Sequence, residues 1–95
     1  MRVTFKIFGF SKLRHLIGEG EIDIEFEGQT VSDMIAHLGN TYGVAAKKII
    51  LRNDGCLKPG VRILRNGRQW IDRDDLETKL NEGDVLVLSL LVAGG

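Results

Sequence analysis

The stretch "VLVLSLLV", residues 85–92, constrains the fold more than any other part of the chain. Its apolar residues do not alternate with polar ones, and only Ser89 interrupts them. A strand that is apolar on both faces belongs in the middle of a sheet, buried on both sides. Two other segments must therefore pair with it, one along each edge.

The rest of the chain supplies them. "VTFKIF" puts Val3, Phe5 and Ile7 on one face and Thr4, Lys6 and Phe8 on the other, the period of two that marks a strand. "EIDIEF" sets Ile22, Ile24 and Phe26 against Glu21, Asp23 and Glu25, one buried face and one wet one. Between them, "GFSKLRHLIGEG" reads as a connecting loop with a short helical turn that tucks Leu13, Leu16 and Ile17 inward. In "TVSDMIAHLGNTYG" the period changes: Val31, Met34, Ile35, Leu38 and Tyr42 recur at helical spacing. Thr30 is the expected N-cap, Asp33 an acid in the first turn where the helix dipole favours one, and Gly43 the stop. A second short helix is expected over "VAAKKII" and a loop over "RNDGCLKPG". "VRIL", "RNGR" and "QWI" read as strand, turn and strand about Asn66-Gly67, with Trp70 packing near the edge strand. "DRDDLETKL" is read as a short helical turn with Leu76 and Leu80 inward, and "NEGD" turns the chain into the last strand. Hairpin, helix, hairpin and closing strand predict an α+β fold, not a doubly wound one. The expectation is a mixed sheet of about five strands with one main helix across one face.

Ninety-five residues hold one core, so a single domain over 1–95 is expected, with residues 92–95 a flexible tail. Thirteen basic and thirteen acidic residues leave no basic excess to attract nucleic acid or an anionic membrane. No apolar run reaches the ~18 residues of a membrane span. A single Cys56 forms no internal disulfide and fits a reducing cytoplasm. His15 and His37 have no metal-ligand spacing with Cys56, and no Ser-His-Asp arrangement is suggested. The chain is therefore expected to carry no active site, metal or bound cofactor of its own, with His37 a boundary residue and Cys56 a bystander.

The final Gly94-Gly95 needs a separate account. Glycine loses most entropy on being fixed and is an odd choice for an ordered end. At average usage, two in a row at one given place arise by chance in roughly 0.5% of chains. A tail without side chains can thread a narrow channel, and a glycine acyl carbon hinders an attacking nucleophile least. The carboxylate of Gly95 is thus the candidate working group.

Three pieces of the chain carry a family resemblance: Asn66-Gly67 between two strands, Leu80-x-x-Gly83-Asp84 before the last strand, and Val92-Ala93-Gly94-Gly95. With "FSKLRHLIG", which matches an F-x-x-LR-x-L-x-G loop, they resemble the small subunit of molybdopterin synthase and its sulfur-carrier relatives. That resemblance implies the ubiquitin-like β-grasp fold. It implies that Gly95, with Gly94 before it, is adenylated by an E1-like activating enzyme that uses ATP, and converted to a thiocarboxylate by a sulfur donor system. The molybdopterin synthase large subunit would then receive the tail. Thiazole or tRNA thiolation, conjugation through Gly95 to protein lysines, and a β-grasp interaction domain with incidental glycines stay open as alternatives. The chain departs from the family in having Leu90-Leu91 where prolines are common, and in the longer "RNDGCLKPG" loop.

A docking surface is expected on the sheet face the helix leaves open. Phe8 and Phe10 from the first strand, with Val87, Ser89 and Leu91 from the last, would form an apolar patch leading to Val92 and Ala93. Arg62, Arg65 and Arg68 cluster around the second hairpin, and Glu19 to Glu27 form an acidic edge, both ordinarily solvated faces.

Overall fold

In the computed structural model, which describes residues 1–9, 11–18 and 20–90, the chain forms five strands and three helices among those residues. In order they are β1 (Arg2–Phe8), α1 (Ser11–Ile17), β2 (Glu21–Glu25), α2 (Val31–Tyr42), α3 (Val44–Ile50), β3 (Val61–Arg65), β4 (Gln69–Ile71) and β5 (Val85–Leu90). The strands make one sheet in the order β2-β1-β5-β3-β4. β5 sits in the middle, as its composition requires. It runs parallel to β1, from Thr4↔Val85 to Phe8↔Ser89, and antiparallel to β3, from Val61↔Leu90 to Arg65↔Leu86. This is the ubiquitin-like β-grasp arrangement. The predicted burial of β5 on both sides holds for one face only. Leu86 and Leu88 are buried, whereas Val85, Val87 and Ser89 are half-buried, shielded by neighbouring strands but by no helix.

One side of the sheet turns Val3, Phe5, Ile24, Ile63, Leu86 and Leu88 into the core, where Met34, Ile35 and Leu38 of α2 and Ala46 and Ile50 of α3 meet them. Each large side chain buried there contributes ~1.5–3 kcal/mol. α1 is a full seven-residue helix, not a single turn, and is far too short to persist by itself. Leu13, fully buried, fastens it to the core, while Leu16 points outward at 41% exposure, against expectation. Leu13 and Ile17, one turn apart, form the stripe that meets the core, and Leu16 falls at its margin.

α2 begins as predicted, with a reciprocal cap. Thr30 Oγ1 accepts from the Asp33 N–H at 3.0 Å, and Asp33 Oδ2 accepts from the N–H groups of Gln29 (2.9 Å) and Thr30 (3.2 Å). Those donors, Gln29 first, hold the Asp33 carboxyl below its usual range. Gly28 belongs to the same device: at φ 124° it passes so close to Asp33 that a Cβ would collide with that side chain.

Residues 72–80 contain turns where a helical turn was expected, yet Leu76 and Leu80 are buried as predicted. The first N–H groups of a helix lack intrahelical partners. Here Val31 and Ser32 donate to the carbonyls of Thr78 (3.1 Å) and Leu76 (2.8 Å), while the Leu80 N–H donates to Gln29 O at 2.6 Å. Those backbone groups, spent on α2, are not free to close a helical turn.

The two turns beside β5 are tied by one carboxylate. Asp84, the only buried charged or polar residue among those described, accepts from the Asn81 N–H (2.8 Å), Asn66 Nδ2 (3.0 Å), and Arg65 Nε (2.9 Å) and Nη2 (2.8 Å). Burial pushes its pKa up, but the Asn81 N–H, the Asn66 amide and the Arg65 guanidinium outweigh it, leaving the carboxyl below its ordinary value. The stabilisation is therefore complete above the unfolded-state value, ~3.9, and is lost as pH falls through the lower folded value. Asp84→Asn should cost about 2–4 kcal/mol at neutral pH, since it leaves Arg65 partly buried without its counter-charge. The gap between the urea midpoints of the two proteins should be wide at neutral pH and narrow below pH ~4. A gap constant with pH would contradict this assignment.

Candidate functional site

Strand register orders the open face of the sheet into rows. Nearest the end of β5, Phe8 lies beside Ser89, and Ser89 beside Arg62. In the next row Glu21, Lys6, Val87, Leu64 and Trp70 follow one another across all five strands. Asp23, Thr4 and Val85 make the third. An apolar diagonal thus runs from Phe8, 59% exposed, through half-buried Val87 and Leu64 to Trp70, 55% exposed.

The flanks of this diagonal differ. On the β2 side, cross-strand pairs absorb the charge: Lys6 Nζ lies 3.0 Å from Glu21 and Arg2 3.5 Å from Glu25, and Thr4 Oγ1 donates to Asp23 at 3.0 Å. On the β3 side, Arg62 and Arg68 are exposed, whereas Arg65 is bound to Asp84. The three-arginine cluster of the sequence is therefore two surface cations and one structural residue.

Gly9 fixes where the chain leaves this face. At φ 82° it lies against Leu90, and a Cβ there would come within 3.1 Å of the Leu90 carbonyl oxygen. A side chain at residue 9 would push against the last residue of β5.

Of the residues singled out in the sequence, Phe8, Val87 and Ser89 share this face. Phe10, Leu91, Val92, Ala93, Gly94 and Gly95, as well as Glu19 of the acidic edge, lie outside the described residues. Leu64 and Trp70 join Phe8, Val87 and Ser89 without being expected on this face: Trp70, read as packing near the edge strand, lies on the edge strand β4 itself and is exposed. Asn66 (φ 52°) and Gly67 (φ 69°) form a type I′ turn closed by the Arg68 N–H on Arg65 O at 3.0 Å. Pairing then resumes at Arg65↔Gln69, so Arg68 is an extra residue on its strand. A turn without it would set Trp70 opposite Ile63 and aim the ring at the core; one residue of slip moves it to the open face.

Among the described residues, the histidines and Cys56 lie away from this face, on α1, on α2 and between α3 and β3. His37 is half-buried, its Nε2 3.2 Å from Thr41 Oγ1, and its ring stands 6.4 Å from that of Phe26. The Cys56 N–H donates to Asp54 Oδ1 at 3.1 Å, the main influence holding the Asp54 carboxyl below its usual range. Among the described residues no group of His, Cys, Asp and Glu is arranged to hold a metal ion, and no helix is long and apolar enough to cross a membrane.

Comparison with known proteins places this geometry. The pattern of the ThiS family matches residues 8–95. A candidate sulfur carrier protein of Archaeoglobus fulgidus is 38% identical over 79 residues, covering 83% of this chain and 89% of that one. Small archaeal modifier protein 3 of Haloferax volcanii is 33% identical over 87 residues, covering 90% and 92%. Among solved structures, a candidate molybdopterin converting factor subunit 1 of Pyrococcus furiosus superposes with a TM-score of 0.60 at 27% identity, over 97% of this chain and 99% of that one.

Trp70 is the only tryptophan, so its fluorescence reports on the face directly. Acrylamide should quench it in the folded protein nearly as well as in urea, and strong protection would contradict the outward placement. Phe8→Ser should shift stability by less than about 1 kcal/mol, because the ring contributes little to the core.

Proposed function

The chain belongs to the ThiS family of sulfur carriers and ubiquitin-like modifiers, and from that premise we propose that it carries sulfur for molybdopterin synthesis. In this reading it is the small subunit of a two-protein synthase. The supporting observation is the position of the apolar diagonal: Phe8 and Ser89 stand beside Leu90, where the chain passes to Leu91, Val92, Ala93, Gly94 and Gly95. A protein docked on Phe8, Val87 and Leu64 receives the outgoing residues next to the surface it grips. Binding energy gained on the face holds the acyl group near the reacting atoms, which lowers the entropic barrier to reaction.

The chemistry requires no general base, nucleophile or metal from this chain. A carboxylate oxygen of Gly95 attacks the α-phosphorus of ATP in the activating enzyme, and pyrophosphate leaves. A sulfur nucleophile from the donor system then attacks the acyl carbon, and AMP leaves with the bonding electron pair. Where that sulfur is the outer atom of a donor persulfide, a second thiol of the donor system attacks the donor's own sulfur, the S–S bond breaks with its electron pair going to the acyl sulfur, and a donor disulfide and the thiocarboxylate result. In the large subunit its sulfur attacks a carbon of the molybdopterin precursor and displaces an oxygen leaving group from it; water then hydrolyses the thioester, leaving the thiol on the product and regenerating the carboxylate of Gly95. Likeness to the Pyrococcus furiosus protein supports this acceptor. The Haloferax volcanii modifier supports a second reading, in which a lysine amine displaces AMP and an isopeptide bond results. Thiazole or tRNA thiolation would use the same activated end.

Intact mass of the protein from its own host, purified without reductant, should show one oxygen replaced by sulfur. In reconstitution with the host's activating enzyme, deleting Gly95 should abolish ATP-dependent pyrophosphate release. Phe8→Glu should raise KM about tenfold or more with little change in kcat, as expected for lost docking. If release persists without Gly95, the carrier reading fails. A ladder of lysine conjugates in extracts would favour the modifier.

A further inference from the structure

Four large hydrophobic side chains are conspicuously exposed among the described residues. Phe8 and Trp70 belong to the open sheet face, whereas Leu16, at 41%, and Val44, at 63%, sit in the helical layer on the other side, on α1 and α3. Between those helices runs a furrow whose two parts share Ser11, Lys12 and Ile49. One part, about 370 Å³, reaches Gly9 and Leu90 over Pro59 and Val61. The other, about 490 Å³, extends to His15, Leu16 and Ala45.

Among the described residues, the furrow's own lining holds Lys12, His15 and Lys58 and no Asp or Glu, the nearby Asp54 standing in the adjoining cavity with Lys48 and Lys58. α1 and α3 contain no Asp or Glu but carry Lys12, Arg14, His15, Lys47 and Lys48, and Lys58 stands on the rim. Among the described residues, Lys12, Lys48 and Lys58 make no ion pair, unlike Lys6 and Arg2 on the sheet. A chain of zero formal net charge thus sets Lys12 and Lys58, without an ion pair among the described residues, along an apolar cleft.

We propose that this furrow is a second docking site, for an acidic amphipathic segment of a protein partner. Its apolar side chains would lie against Leu16, Ala45 and Ile49, with carboxylates facing Lys12, His15 and Lys58. The apolar walls favour a peptide over nucleic acid, which brings phosphates for the cations but no aliphatic side chains for the cleft. Since the furrow ends at Leu90, its occupant sits beside the outgoing residues while the sheet face stays accessible. Two partners, or two parts of one, can then hold the chain from opposite sides. The site needs no chemistry at Gly95 and stands apart from the carrier reading.

The test is a titration of the nitrogen-15-labelled full chain with a synthetic helical peptide bearing Leu on one face and Glu on the other. Saturable amide shifts are expected in α1, at residues 45–49 and at 58–61. Lys12→Glu combined with Lys58→Glu should weaken binding about tenfold or more, as should added salt. Leu16→Ser, a separate exposed position, should also weaken it, and each variant's spectrum reports whether the fold is kept. A control peptide with Ser for Leu should give no saturable shifts. The proposal is overturned if the Leu/Glu peptide gives none, if its shifts centre on Phe8, Val87 and Trp70, or if a single-stranded oligoribonucleotide competes equally for the furrow.

Discussion

The carboxylate of Asp84 is the constraint on which the rest of the arrangement depends. It is nearly inaccessible to water, yet donors from the 81–84 turn, the Asn66 side chain and Arg65 at the end of β3 converge on it. Joined to these are the Thr4 N–H on the Asp84 carbonyl (2.9 Å), the Gly83 N–H on the Arg2 carbonyl (2.8 Å) and Asn66 Oδ1 accepting from the Val85 N–H (2.8 Å). Together they pin the start of β5 to both neighbours at once. Because side chains alternate along a strand, fixing that start decides every row of the sheet beyond it.

Register leads directly to the surfaces. One face of β5 closes the core with Leu86 and Leu88, and the other offers Val87 and Ser89 beside Phe8 and Leu64. A sheet with helices on one side only always leaves such a face, but it is commonly polar. Here paired charges fill the β2 flank and the apolar diagonal fills the middle. The helical side has its own apolar cleft with cations that stay unneutralised among the described residues. Among the described residues, neither surface groups His, Cys, Asp and Glu in a way that could hold a metal ion.

Much of this could be read from the residues, and the failures are physical. The central place of β5 follows from its unbroken apolarity, and the start of α2 from Thr30 and Asp33, because both signals are local. Trp70 is legible as lying near the edge strand but not as facing either side, because its direction depends on whether Arg68 counts as a strand residue, which a short turn motif leaves undetermined. The 72–80 segment was given a helical turn because nothing nearby shows that its carbonyls serve Val31 and Ser32, far away in sequence. Asp84 entered only as part of a motif shared with relatives; its burial depends on three segments meeting. On the open face, periodicity found Phe8 and Val87, whereas Leu64 needed the pairing of β3 with β5.

The place of β5 has a consequence for how the molecule is made. Among the described elements, the strand that occupies the centre comes last in sequence and its parallel partner β1 comes first, so the sheet joins segments far apart in the chain. Such long-range pairing slows folding and leaves the two hairpins without a common neighbour until late. A nascent chain interrupted before residue 85 has no strand between β1 and β3. A chain cut before residue 85 therefore loses Leu86 and Leu88 from the core together with Val87 and Ser89 from the open face, so the interior and that surface are completed by the same strand.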